Sequence, residues 1–149
     1  MFRGNINITL IIIDLSIAID VSGSMSGSRI DTAKQSLIQL IQKLNDDDNI
    51  TISKFNDESE PIFKYQKVSK LKSIDYVSEI EKLKAQGGTD IFKAFKVAYD
   101  LMTPENCNKN KIITLLVNIK LNKKWNAQEE QEVHFLVIIH IIVFHQPQQ

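Results

Sequence analysis

The chain has 149 residues, 43% of them hydrophobic and 24% charged, and 18 lysines and arginines balance 18 aspartates and glutamates. That length and composition fit one compact domain with its own core, and the even charge gives no electrostatic footprint for nucleic acid or acidic lipid. The single cysteine, Cys107, excludes an internal disulfide and leans toward a reducing, cytoplasmic compartment.

The run Ile6 to Ile19 is largely apolar but is interrupted by Asp14 and ends in a polar loop. It predicts a buried strand rather than a signal peptide, which needs an uncharged core and a small-residue cleavage site. Leu15 to Ile19 reads as a central parallel strand, buried on both faces. Ile30, Ala33, Leu37, Leu40, Ile41 and Leu44 then recur at helical spacing, with Gly27 or Ser28 in the cap region. Asn45 to Asp48 is a polar turn read as solvated, Ile50 to Phe55 a second strand, and Ile62 to Tyr65, after Pro61, a short edge strand. Ile74, Val77, Ile80 and Leu83 mark a helix that stops before Gly87-Gly88. A third helix carries Ile91, Phe92, Phe95, Ala98, Tyr99 and Met102 on one face, Pro104 ends it, and Ile112 to Val117 is the next buried strand. Phe135 to Phe144 is too short to span a bilayer as a helix, which takes about 20 residues, so no membrane span is expected.

This order of strands and helices predicts an α/β fold, a Rossmann-like open, mainly parallel sheet with helices on both faces. Such sheets bind ligands at the carboxyl ends of their strands, where the strand order reverses.

Asp20 stands at such an end, and Asp20-Val21-Ser22-Gly23-Ser24 follows the apolar run directly. A carboxylate and two hydroxyls at alternate positions put three oxygen donors around one point, the donor type that hard cations such as Mg²⁺ require. Gly87-Gly88-Thr89-Asp90 offers a further hydroxyl before the third helix. Structural roles compete for these residues: Asp20 and Ser24 are favoured cap types, and Thr89 is placed to cap the helix from Asp90 to Met102. Asp46-Asp47-Asp48 lacks the alternating donors and closing Glu of a calcium loop. His134, His140 and His145 lack the i, i+4 pairing of a helical zinc site. Gly23-Ser24-Met25-Ser26-Gly27 is not a nucleophile elbow, because Met25 holds the middle position. An Asp-based phosphotransferase would want a carboxylate where Ser22 stands. The chain is therefore expected not to be an enzyme.

Asp20-Val21-Ser22-Gly23-Ser24-Met25, with a helix behind it and Gly87-Gly88-Thr89-Asp90 further on, resembles the von Willebrand factor type A domain over Asp14 to Val117. The resemblance implies a metal-ion-dependent adhesion site. In it Ser22, Ser24 and Thr89 would ligate Mg²⁺ (or Mn²⁺ or Ca²⁺), and Asp20 would bind directly or through water while orienting the serines. The family follows its fourth major strand with Asp-Gly; here Asn118 stands where that Asp would be, which implies weak binding of the free ion.

Residues 1–118 are accordingly read as a partial type A-like domain and 119–149 as a divergent tail. Two readings of that tail stay open: a reading frame in which other sequence replaces the last strand–helix units, or a divergent domain that adds Val133 to Phe144 as one strand. The expected function is a divalent-metal-dependent protein-binding module whose cation accepts an Asp or Glu carboxylate from a partner protein. The alternative is a remnant or scaffold that binds no metal.

Overall fold

The computed structural model describes residues 12–102, 110–126 and 129–144, with the backbone alone for 110–111 and for the strands beyond residue 114. Five strands make one open sheet in the order β3-β2-β1-β4-β5: β1 (Asp14–Asp20), β2 (Asn49–Phe55), β3 (Ser59–Lys67), β4 (Asn110–Asn126) and β5 (Glu129–Phe144). β1 runs parallel to both β2 and β4, while β3 and β5 add antiparallel edges. The chain lays β2 and β3 on one side of β1 and then crosses over to β4 on the other. The carboxyl end of β1 is therefore the switch point at which such sheets bind ligands.

Every residue of β1 is buried, as a central strand covered on both faces requires. Its side chains alternate between faces. Leu15, Ile17 and Ile19 join one core cluster with Leu37 and Ile41 of α1 (Ser28–Lys43) and with Ile80 of α3 (Tyr76–Glu81). Ala18 faces the other way and packs with Phe55, Ala94, Ala98 and Met102, under α4 (Ile91–Asp100). Ser16, on that same face, donates its hydroxyl to the Ala98 carbonyl at 2.7 Å. Helices thus cover both faces, and the fold is α/β.

Several boundaries differ from the sequence reading. The helix expected from Ile74 to Leu83 is the shorter α3, and a further short helix, α2 (Val68–Lys72), stands before it. Asp75 caps α3 by accepting the Ser78 N–H at 3.1 Å, so Ile74 precedes the helix; Ile80 and Leu83 are buried as expected, with Tyr76 beside them, while Ile74 and Val77 are exposed. In α4 the buried residues are Ala94 and Ala98, while Ile91, Phe92 and Tyr99 are exposed. Small side chains let the helix lie close to the sheet, with Phe95 packed against the same cluster. The edge strand β3 is longer than expected, and the ladder shifts register opposite Pro61, which has no N–H to pair. Asp48, assigned to a solvated turn, is buried, and its carboxylate accepts the Ile13 and Asn45 N–H groups. β4 continues through Val117 to Asn126 and β5 returns beside it. Cys107, Pro104 and His145 lie outside the described residues. Among the described residues no helix is long and apolar enough to cross a membrane.

Candidate metal site

β1 delivers Asp20 to the edge of the core, where the residue is 1% exposed. Val21 is clasped from two directions: its N–H donates to the Phe55 carbonyl and its carbonyl accepts the Gln86 N–H, each at 2.8 Å. The chain then turns on itself. Asp20 Oδ1 accepts the Ser22 N–H at 2.8 Å, and Gly23–Met25 form one 3-10 turn anchored by the fully buried Met25. This winding brings the Ser22 and Ser24 hydroxyl oxygens to 3.0 Å from each other. Arg29 on the first turn of α1 holds the loop from outside, donating to the Ser24 carbonyl at 2.6 Å.

Neither Asp20 nor Ser24 caps α1. That helix starts from Gly27, with no side-chain cap bond. The cap of α4 is Asp90, which accepts the Lys93 N–H at 3.0 Å, so Thr89 is not the cap either.

The second loop packs directly on the first. The Gly23 N–H donates to the Gly87 carbonyl at 2.8 Å, and Thr89 follows two residues later, exposed to solvent. The structure brings Asp20, Ser22 and Ser24 together, and Gly87, two residues before Thr89, meets their loop at Gly23. Asn118 lies in β4, two residues past Leu116, the last β4 residue paired with β1, and is paired with Leu136 of β5. Its side chain lies outside the described residues.

One atom tests whether this donor set suits a cation. Asp20 Oδ2 is buried and has no hydrogen-bond partner among the described residues. A buried carboxylate oxygen left unmatched is costly. Asp14, equally buried at the other end of β1, shows the ordinary solution: its carboxylate accepts from Asn49 Nδ2 at 3.0 Å and from the Tyr65 hydroxyl at 2.9 Å. Beside Asp20 stand hydroxyls, which are oxygen donors to a hard ion. Among the described residues no cluster of three His, Cys, Asp or Glu side chains could hold a metal; a hydroxyl-rich set with one carboxylate is a different kind of site, and the residues present fit it.

Two residues that the sequence reading passed over belong to this region. Asn56 accepts the Asp90 N–H with its carbonyl at 2.8 Å and donates Nδ2 to the Gln86 carbonyl at 3.0 Å. Asp57 accepts the Gly88 N–H at 2.8 Å. Asn-Asp after a strand signals a turn, but nothing local announces a partner in a distant loop.

The chain belongs to the von Willebrand factor type A domain family, which matches residues 15–119. It is 30% identical over 104 residues to the voltage-dependent calcium channel subunit alpha-2/delta-2 of Homo sapiens, covering 64% of this chain and 9% of that protein. It is 29% identical over 92 residues to inter alpha-trypsin inhibitor, heavy chain 4, of Mus musculus, covering 59% and 9%. The chain thus spans a small part of these relatives. Among solved structures, the PilB minor pilin from Streptococcus sanguinis superposes with a TM-score of 0.63 at 18% identity, over 71% of this chain and 29% of that one. The vWF domain of the type V pili tip protein Mfa5 from Porphyromonas gingivalis gives 0.59 at 17% identity, over 81% and 47%. At these identities the likeness is one of fold.

Proposed function

We propose that this chain is a protein-binding module that works through a divalent cation, Mg²⁺ or one of its substitutes Mn²⁺ and Ca²⁺. Ser22, Ser24 and Thr89 would hold the ion, with Asp20 beside them directly or through water. The observation that carries this reading is the buried, unpartnered Asp20 Oδ2 next to two hydroxyls 3.0 Å apart, at the switch point of the sheet. When bound, the ion would offer an electrophilic position to an Asp or Glu carboxylate of a partner protein.

Electrostatics favour that partner. One formal carboxylate, Asp20, set against a dication leaves about one net positive charge. Asn118, as a neutral residue, does nothing to reduce it, so the free ion is held weakly and an incoming anionic oxygen gains more.

Calorimetric titration of Mg²⁺ and Mn²⁺ into the wild type, Ser24→Ala and Thr89→Ala tests the reading. Saturable binding to the wild type, lost in both variants at unchanged circular dichroism, is expected. No binding of either ion, or full binding by Thr89→Ala, would overturn it.

A further inference from the structure

The two adjacent glycines of the second loop are explained by what lies on them. A Cβ at Gly88 would overlap the Asp57 carboxylate, and one at Gly87 would press on both Asp57 and the Asn56 amide. Gly87 also has φ +80°, a region that side chains other than glycine's rarely adopt. The Asn56-Asp57 turn therefore sits on bare backbone. It makes three bonds there: Asp57 Oδ2 from the Gly88 N–H at 2.8 Å, Asn56 Nδ2 to the Gln86 carbonyl at 3.0 Å, and the Asn56 carbonyl from the Asp90 N–H at 2.8 Å. These contacts bracket Thr89 on both sides. Lys93 on α4 locks the arrangement, donating Nζ to the Asp57 carbonyl and to Glu58, both at 3.1 Å.

We propose that Asn56 and Asp57 are the positioning residues of the metal site, setting the Gly87–Thr89 turn against the Asp20–Ser24 loop without themselves being donors to the ion. The inference rests on the metal-binding reading above. The physical reason is reach. Gly87 contributes the carbonyl that accepts the Gly23 N–H, so the same loop that carries Thr89 also braces the serine loop. A turn containing two glycines is conformationally free and needs outside bonds to hold one geometry. Asp57 and Asn56 supply them from the end of β2, which is itself paired with β1 along its length. The carboxylate works here as a hydrogen-bond acceptor for one amide, so its geometry matters more than its charge.

Three variants separate the possibilities. Asp57→Ala removes the acceptor, and Asp57→Asn keeps an oxygen there while removing the charge. Asn56→Ala removes the side-chain bond to Gln86. Removal of such supporting partners lowers metal affinity by about 10–100-fold. Asp57→Ala is expected to lose Mn²⁺ affinity in that range at little change in melting temperature, with Asp57→Asn restoring most of it and Asn56→Ala in between. Amide hydrogen exchange at Gly88 and Gly23, measured without metal, should quicken in Asp57→Ala and return toward the wild type in Asp57→Asn. Unchanged Mn²⁺ affinity in Asp57→Ala would overturn the proposal, and so would equal losses in Asp57→Asn and Asp57→Ala, which would make the carboxylate a charge donor to the ion. If the wild type binds no Mn²⁺, the metal reading fails, and unchanged Gly23 exchange in Asp57→Ala would then overturn the positioning role on its own.

Discussion

The Gly23 amide donates to the Gly87 carbonyl at 2.8 Å, and with the Gln86 amide donating to the Val21 carbonyl it joins two loops that are far apart in the sequence. A Cβ at Gly23 would come within 3.2 Å of the Gly87 carbonyl. A side chain at position 23 would fit only if that carbonyl moved aside. Gly23→Ala should therefore push them apart by a few tenths of an ångström. We expect a stability loss of about 1–2 kcal/mol and a fall in metal affinity several times larger than any change in fold content. Thermal melts with and without Mn²⁺ check this, and an unchanged metal-induced shift would show that the loops act separately.

Asp20→Asn separates stability from binding. The variant keeps an acceptor for the Ser22 N–H and removes the buried charge whose second oxygen is unpartnered. Burying an unmatched charge costs more than burying an amide, and binding sites often sacrifice stability for function. Without metal, Asp20→Asn should melt at or above the wild-type temperature, whereas added Mg²⁺ should no longer raise its melting point. A variant that melts far below the wild type would mean that Asp20 has a structural partner.

Exposure and size part company on α4. Phe92 is 78% exposed, although the fully buried Ile41 is smaller. Phe92→Ala should change stability by no more than about 0.5 kcal/mol, while Ile41→Ala should cost about 2–5 kcal/mol. Chemical denaturation of the two variants decides between them. A large loss in Phe92→Ala would place it in a core that the described packing does not contain.

Much of the fold was legible because its signals are local. The apolar run of β1, the helical spacing of Ile30 to Ile41 and the Gly-Gly stop before α4 each reflect a period or a breaker within a few residues. Asp20, Ser22 and Ser24 were legible as a group because one short turn holds them. What the sequence hid was set by distant contacts. Asp75 caps α3 and starts it after Ile74, and Tyr76 rather than Val77 joins Ile80 and Leu83 in the core. On α4 the expected Ala98 and Met102 are buried, with Phe95 packed against them, but Ala94 takes the place expected of Ile91, Phe92 and Tyr99, because close approach favours the smaller side chain. Asp57 gave no sign of its role, since its partner amide belongs to a loop on the far side of two helices in the sequence.

Asn118→Asp supplies the carboxylate that the family places after its fourth major strand. The variant should bind Mg²⁺ more tightly than the wild type, because a second carboxylate offsets the charge that one leaves. Calorimetry on the two proteins measures it. Equal affinities would place residue 118 away from the ion.

The central claim is that a divalent cation binds between the Asp20–Ser24 loop and the Gly87–Thr89 turn, and paramagnetic broadening by Mn²⁺ tests it most directly. Substoichiometric Mn²⁺ added to isotope-labelled protein should first erase the amide signals of Ser22, Ser24 and Thr89, with Mg²⁺ in excess restoring them. Broadening centred instead on the acidic Asp46–Asp48 turn, or no selective broadening at all, would contradict the account.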